Sequence, residues 1–256
     1  MNYRIEYTDG IEFNPPEILY KYRDWDNKQH KKVLIDNKLY LASPGDFEDI
    51  FDCNVPEEFP DRRELFGYFI NIAKKEHPNW RRQERRKFAQ NWRKKSPLAN
   101  PKELKQEVAE WNQKFNNQFG VLSMTVDCAN DAMWQKYAND HRGVCFGFDT
   151  KLLLDCVGGG GYVQYVDELP TIDFLKDDFV SKHVKNVFFK ESRWAFEKEY
   201  RLHKMWEYAV SVEERNIVFP EGCLKRIILG RKMSPENKQE IKEIAKKRID
   251  IEIIDL

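Results

Sequence analysis

Trp194-Ala195-Phe196-Glu197-Lys198-Glu199-Tyr200-Arg201-Leu202 is the stretch on which the fold turns. Its residues alternate, with Phe196, Lys198 and Tyr200 on one side and Glu197, Glu199 and Arg201 on the other. A period of two predicts a strand. One ionic face is what an antiparallel sheet with a solvated side presents. Two carboxylates two residues apart on a strand point the same way, with side chains roughly 7 Å apart. Such a pair suits a site that stabilises a developing cation or deprotonates a nucleophile. A plain solvated strand face explains it as well.

Outward from that stretch, strand character recurs at 18–23, 38–43, 120–125, 143–149, 162–166, 209–219, 224–229 and 249–254. Helical spacing covers 26–37, 131–138, 150–156, 171–189 and 234–247, with Asn130 a suitable N-cap for the second. Residues 61–118 differ: glycine is nearly absent, and spaced aromatics sit among Lys, Arg, Gln, Glu and Asn. Three helices are expected there, broken near Pro78 and between Ser96 and Pro101. The predicted fold is one α+β domain over residues 1–256. It has a curved, largely antiparallel mixed sheet, flanking helices and a helical insertion at 61–118.

The 256 residues are 41% hydrophobic and 14% aromatic, enough for a sizeable core. Lys plus Arg and Asp plus Glu both number 43, so any attraction to nucleic acid or membrane must come from local asymmetry. Cys53, Cys128, Cys145, Cys156 and Cys223 are odd in number, and no two have redox-pair or zinc spacing. Reduced thiols in or near a core are expected. No apolar run approaches about 18 residues, and the opening Met1 to Tyr7 lacks an apolar signal core. A cytoplasmic location without a membrane partner is the expectation.

Six segments in order resemble a widespread bacterial family of uncharacterised domains. They are Leu19-Tyr20-Lys21-Tyr22-Arg23, then 39–47 with Ser43-Pro44-Gly45-Asp46-Phe47, then Asp49 to Cys53. Trp134 with Tyr137-Ala138, Gly143-Val144-Cys145-Phe146-Gly147-Phe148-Asp149, and Glu197-Lys198-Glu199-Tyr200-Arg201 complete the series. Glu48 stands where members usually carry Asn, and Ile50 where Pro is usual. The resemblance implies a neighbourhood of mobile elements and phage-defence genes, but supplies no chemistry.

A second resemblance does supply chemistry. Mono-ADP-ribosyltransferases of the arginine–serine–glutamate type carry an aromatic-flanked Arg, a Ser-x-Ser step and a Gln/Glu-x-Glu step on successive strands. Tyr22-Arg23, Ser123-Met124-Thr125 and Glu197-Lys198-Glu199 fit these in order. The resemblance implies an NAD-consuming transferase, acting as a defence effector or toxin. Glu199 would stabilise the oxocarbenium-like ribose, and Glu197 would act as general base. Arg23 would grip the pyrophosphate. Ser123 and Thr125 would brace the nicotinamide pocket beside Tyr22, while Trp134 and Tyr137 would stack on nicotinamide or a target base. An ion pair between Arg23 and Glu199 across strands is the competing account.

Lys74 to Lys95 holds ten Lys or Arg against Glu76 and Glu84. Arg81, Arg82, Arg85, Arg86, Arg93 and Lys94, with Trp80, Phe88 and Trp92, would suit a nucleic-acid target. An amphipathic helix with inward aromatics and solvated charges fits too. Asp46, Glu48, Asp49 and Asp52 open a further alternative, a metal-dependent nuclease. Asp-stabilised turns account for them equally. A non-catalytic binding component of a defence system is the third reading. No histidine pair has metal spacing, and the acceptor, the trigger and the oligomeric state stay open.

Overall fold

The computed structural model describes residues 14–256; the Met1 to Tyr7 stretch read for a leader lies outside the described residues. Seven strands form the main sheet: β1 (Ile18–Arg23), β2 (Phe119–Thr125), β3 (Val144–Asp149), β4 (Gly159–Tyr162), β5 (Glu199–Met205), β6 (Leu224–Leu229) and β7 (Glu252–Asp255). Their spatial order is β7-β6-β3-β1-β2-β5-β4. The neighbours are antiparallel except β6 and β7. That parallel pair needs a crossover, which the helix Pro235–Ala245 supplies. The fold is α+β, with a mostly antiparallel mixed sheet and flanking helices, as the sequence implies.

Alternation along each strand sorts its side chains. Leu19, Leu122, Met124, Phe146, Phe148, Leu202 and Ile227 form one face. It is covered by Val33 and Leu34 of the helix Lys28–Ile35 and by Ile241 of Pro235–Ala245. Burying a side chain of this size contributes about 1.5–3 kcal/mol. On the other face, Tyr20, Tyr22, Cys145 and Ile228 lie under Met133 and Trp134 of the helix Asp131–Tyr137. Phe119 and Val121 meet Val184, Val187 and Phe188 of the helix Phe179–Phe188 on that same side.

The sheet divides between its central strands. β1 and β3 stay in register over six pairs, and β2 and β5 over seven. β1 and β2 share a single pair, Tyr20 with Thr125. Beyond it they part, and Val121 bridges to Ala42 instead.

Three helices occupy Arg62–Glu76, Arg82–Lys95 and Pro101–Gln118. Asp61 caps the first, accepting from the Arg63 and Glu64 amides, and Pro101 opens the third, where its missing donor costs nothing. Leu65, Phe69 and Ala89 knit the first two together.

Three expectations change. Residues 192–197 are a 3-10 helix rather than strand, and Lys198 turns left-handed at φ 43° before β5 begins at Glu199. The helix expected over 171–189 shrinks to Phe179–Phe188, because Asp178 caps it by accepting from the Ser181 amide. Within 209–219 only Asn216–Val218 is strand.

Candidate functional site

Glu197 and Glu199 converge, though not by strand alternation. The 3-10 turn and the left-handed Lys198 fold Glu197 back toward its neighbour. Both then reach the Lys190 ammonium, Glu197 Oε2 at 2.7 Å and Glu199 Oε2 at 3.3 Å. Lys190 comes from the short strand Phe189–Glu191, which pairs with Gln164–Val166. Asp52 Oδ2 is the third carboxylate on it, at 3.0 Å.

Arg201 closes the network from β5. Its Nε donates to Glu199 Oε1 at 2.7 Å and its Nη2 to Asp52 Oδ1 at 2.6 Å. Nη1 donates to the Val187 carbonyl at 2.8 Å, so the guanidinium is both paired and fully buried. Tyr137 donates its hydroxyl to Glu197 Oε1 at 2.5 Å. The Ser123 side chain lies near the Glu199 carboxylate and favours its charged form. Three carboxyl groups thus surround the Lys190 and Arg201 side chains at the centre.

The environment sets the charges. Burial pushes the Glu199 carboxyl up, but Arg201, Lys190, the bonds from Arg201 and the nearby Ser123 side chain outweigh it and hold the group well below the usual carboxylate range. Burial pulls Lys190 down, yet Glu199 and Asp52 hold it above the ordinary lysine value. Burial and then the Glu197 charge raise the Tyr137 phenol, which therefore stays a donor.

Lys21 joins this network through the division in the sheet. By alternation it shares the face of Leu19, opposite Glu199. Its ammonium donates to the Ser123 carbonyl where β1 and β2 part. Burial, then the nearby Arg23, lower its pKa well below the ordinary value, while the Glu199 and Glu197 charges oppose them. Arg23, two residues on, is half-buried and has no hydrogen-bond or ion-pair partner among the described residues. Burial lowers it to about 10. His30 lies near both cations, and burial together with the Arg23 charge brings it to about 4. By alternation Lys21 and Arg23 thus belong to one face of the sheet and Glu199 to the other.

The remaining expectations divide. Arg23 and Glu199 do not pair, because alternation puts them on opposite faces and Arg201 takes the carboxylate. Tyr22 and Trp134 are not open to a ligand. Both are 2% exposed, and their rings meet edge to face at 5.0 Å. Tyr22 donates to the Asp127 carbonyl and Trp134 to the Cys128 carbonyl, so the polar tips are satisfied as well. Thr125, 1% exposed, accepts from the Asp127 amide and shapes a turn.

The 46–52 carboxylates scatter. Asp46 accepts from the Ser43 amide and the Tyr40 hydroxyl. Asp49 accepts from Trp194 at 2.7 Å and from Arg193 at 2.8 Å. Glu48 is exposed, and Asp52 belongs to the buried network. Among the described residues no group of three or more His, Cys, Asp or Glu could hold a metal ion. All five cysteines are free, with Cys53, Cys145 and Cys223 buried.

On the basic helix Arg81, Arg82, Arg86 and Lys94 are exposed. Arg85 instead turns inward to the Pro78 carbonyl at 2.6 Å, and Arg93 lies over the Phe66 ring. Sequence reasoning missed Lys190, Arg201 and Asp52 as members of the carboxylate network, and Lys21 as its neighbour. The signal that marks two of them is a cation two residues from an already suspected residue, Lys21 from Arg23 and Arg201 from Glu199. Lys190 and Asp52 carry no such mark.

No helix of the described residues is long and apolar enough to cross a membrane. No curated protein and no solved structure matches the chain. Residues 133–202, from the helix bearing Trp134 and Tyr137 through the first half of β5, match the model of a family described as a protein of unknown function, DUF2971.

Proposed function

We propose that the chain is an NAD-dependent ADP-ribosyltransferase-like enzyme. The observation that supports this reading is Arg23, without a hydrogen-bond or ion-pair partner among the described residues, beside Lys21, whose ammonium reaches the Ser123 carbonyl where β1 and β2 part. A half-buried, desolvated guanidinium with no anionic partner among the described residues is poised for one, and its planar fork suits a diphosphate. Lys21 adds a second donor. Entry of the diphosphate raises the proton affinity of Lys21 and draws it off the Ser123 carbonyl. β1 and β2 must then part further for the nicotinamide ribose to reach the Glu199 carboxylate, 3% exposed on the other face, whose charge favours the oxocarbenium-like state. Tyr137 and Lys190 hold Glu197 in place as base for the acceptor.

The same geometry favours a second reading. Both Glu199 oxygens are already engaged by Arg201 and Lys190, as expected of a structural ion network. On that reading the protein binds a partner and turns nothing over.

Nicotinamide release from NAD in the presence of a chelator separates the two. The transferase reading expects release by the wild type, loss of NAD binding in Arg23→Gln, and retained binding without release in Glu199→Gln. Thermal melts must show that each variant is folded. Absence of release by the wild type with every acceptor class tried, or undiminished release by folded Glu199→Gln, sinks it.

A further inference from the structure

The hairpin formed by the helices Arg62–Glu76 and Arg82–Lys95 carries a charge pattern that the nucleotide site does not use. Ten Lys or Arg stand against two Glu between Lys74 and Lys95, so this stretch has an excess of eight positive charges. The whole chain is neutral. The rest of the sequence therefore carries an equal negative excess. A polyanion would be repelled elsewhere and drawn to the hairpin. Not one of these ten cations forms an ion pair with a described residue, in a protein whose other surfaces pair cations freely.

The arrangement along the second helix is specific. Arg82, Arg86, Lys87, Lys94 and Lys95 are exposed. Arg82 and Arg86 lie one turn apart on one stripe, and Lys87 and Lys94 follow each other on a second. With a rise of 1.5 Å per residue, the exposed cations cover roughly 20 Å of helix. Trp92 sits among them, 44% exposed.

The apolar side of this helix is already covered. Ala89 is fully buried against Leu65 and Phe69. The Trp92 ring also leans on Phe69, with 6.1 Å between centroids. No free apolar face remains to enter a lipid layer, which argues against a membrane surface as the occupant. A track of unpaired cations with a partly open indole suits a flexible phosphodiester chain whose bases can stack.

We infer that this hairpin is a docking arm for single-stranded nucleic acid. The inference does not depend on turnover of NAD. Arg82, Arg86, Lys87 and Lys94 contact phosphates, and Trp92 stacks on a base. Arg85 and Arg93 hold the hairpin together rather than touch the ligand.

The test is fluorescence anisotropy with a labelled 20-nucleotide single strand, the matching duplex, and vesicles of mixed phosphatidylserine and phosphatidylcholine, over a series of salt concentrations. Four phosphate contacts give log K against log salt a slope of about −3 for a single strand. The variant Arg82→Gln/Arg86→Gln/Lys94→Gln should flatten that slope by about 2 and weaken binding by about 100-fold near 0.1 M salt. These side chains are exposed and unpaired, so the fold survives the change, and circular dichroism verifies it. Lys246→Gln/Lys247→Gln, outside the arm, should bind as the wild type does. Trp92 fluorescence should be quenched by the oligonucleotide. No binding of the single strand at low salt, binding unaffected by the triple variant, tighter binding of the duplex, or binding of vesicles alone would each overturn the proposal. Loss of oligonucleotide binding with nicotinamide release intact would leave the transferase reading standing and confine the arm to docking.

Discussion

The Lys21 ammonium donates to the main-chain carbonyl of Ser123 across the point where β1 and β2 separate. A side chain thus stands where a sheet would ordinarily use a main-chain ladder. The bond ties the cationic end of β1 to the strand that pairs with β5 at Glu199.

The cost of that placement predicts an opposition between stability and binding. Burial and the Arg23 charge disfavour the charged amine. A lysine with a lowered folded pKa is penalised at any pH below its unfolded value, near 10.4. Lys21→Met should therefore leave stability unchanged or raise it by about 1–2 kcal/mol in urea unfolding at pH 7. The same variant should bind NAD at least tenfold more weakly in titration calorimetry. A large loss of stability would show that the amine is chiefly a structural bridge.

The buried network behaves in the opposite sense. Removing one partner leaves charges buried without a counterion, which costs about 3–5 kcal/mol. Arg201→Met should lose stability on that scale, because Glu199 and Asp52 both lose their nearest cation. The folded Glu199 pKa is depressed, so its contribution is complete above the unfolded value of about 4.3 and fades as pH falls toward the folded one. The wild type should lose stability through this acid window, and Glu199→Gln should lose less of what remains to it there. Urea midpoints between pH 5 and pH 2.5 read the difference.

A second, higher window belongs to the histidines that burial keeps neutral, His203 among them. Burial lowers its pKa to about 4, and its ring stacks near Phe119 at 5.4 Å. Protonation favours the unfolded chain, where histidine titrates near 6.5. Stability is therefore retained above about 6.5 and lost as pH falls from there to about 4, by roughly 2–4 kcal/mol. His203→Phe keeps a ring and removes the proton site. Its stability should vary less across this window than that of the wild type, whatever its value at pH 7.

Gly143 is held by contact rather than by chain freedom. A Cβ there would overlap the Arg23 carbonyl, and it would also crowd the Ala138 carbonyl at 2.9 Å. Backbone cannot yield as a side-chain tip does. Gly143→Ala should cost about 2–4 kcal/mol and displace the end of β1 that carries Arg23. NAD binding should fall further than the loss of folded protein explains. A variant as stable as the wild type would mean that β1 moves freely at this end.

Much of the fold was legible because it rests on short-range patterns. Alternation in Leu19 to Tyr22 and in Val144 to Phe148 sorts the apolar side chains between two packed faces, with Lys21 the exception. The Asp61 and Pro101 helix starts and the strand–helix–strand tail are equally local signals. The Trp194 to Leu202 stretch misleads because Lys198 adopts a positive φ that no lysine announces. Trp134 and Tyr22 read as ligand contacts, yet each satisfies its polar tip on a nearby carbonyl and packs inward.

The order of Arg23, Ser123 and Glu199 along the chain was fixed by the sequence itself, as were the basic excess of residues 74–95 and the strands that carry the three residues. Only the tertiary structure decided that Arg201 and Lys190, not Arg23, neutralise Glu199, and that Lys21 reaches the Ser123 carbonyl where β1 and β2 part. The physical reason is that partners of a buried charge are chosen by the positions of separately folded elements. Asp52 lies 149 residues from Arg201 and Tyr137 lies 60 from Glu197, so no local pattern encodes either contact.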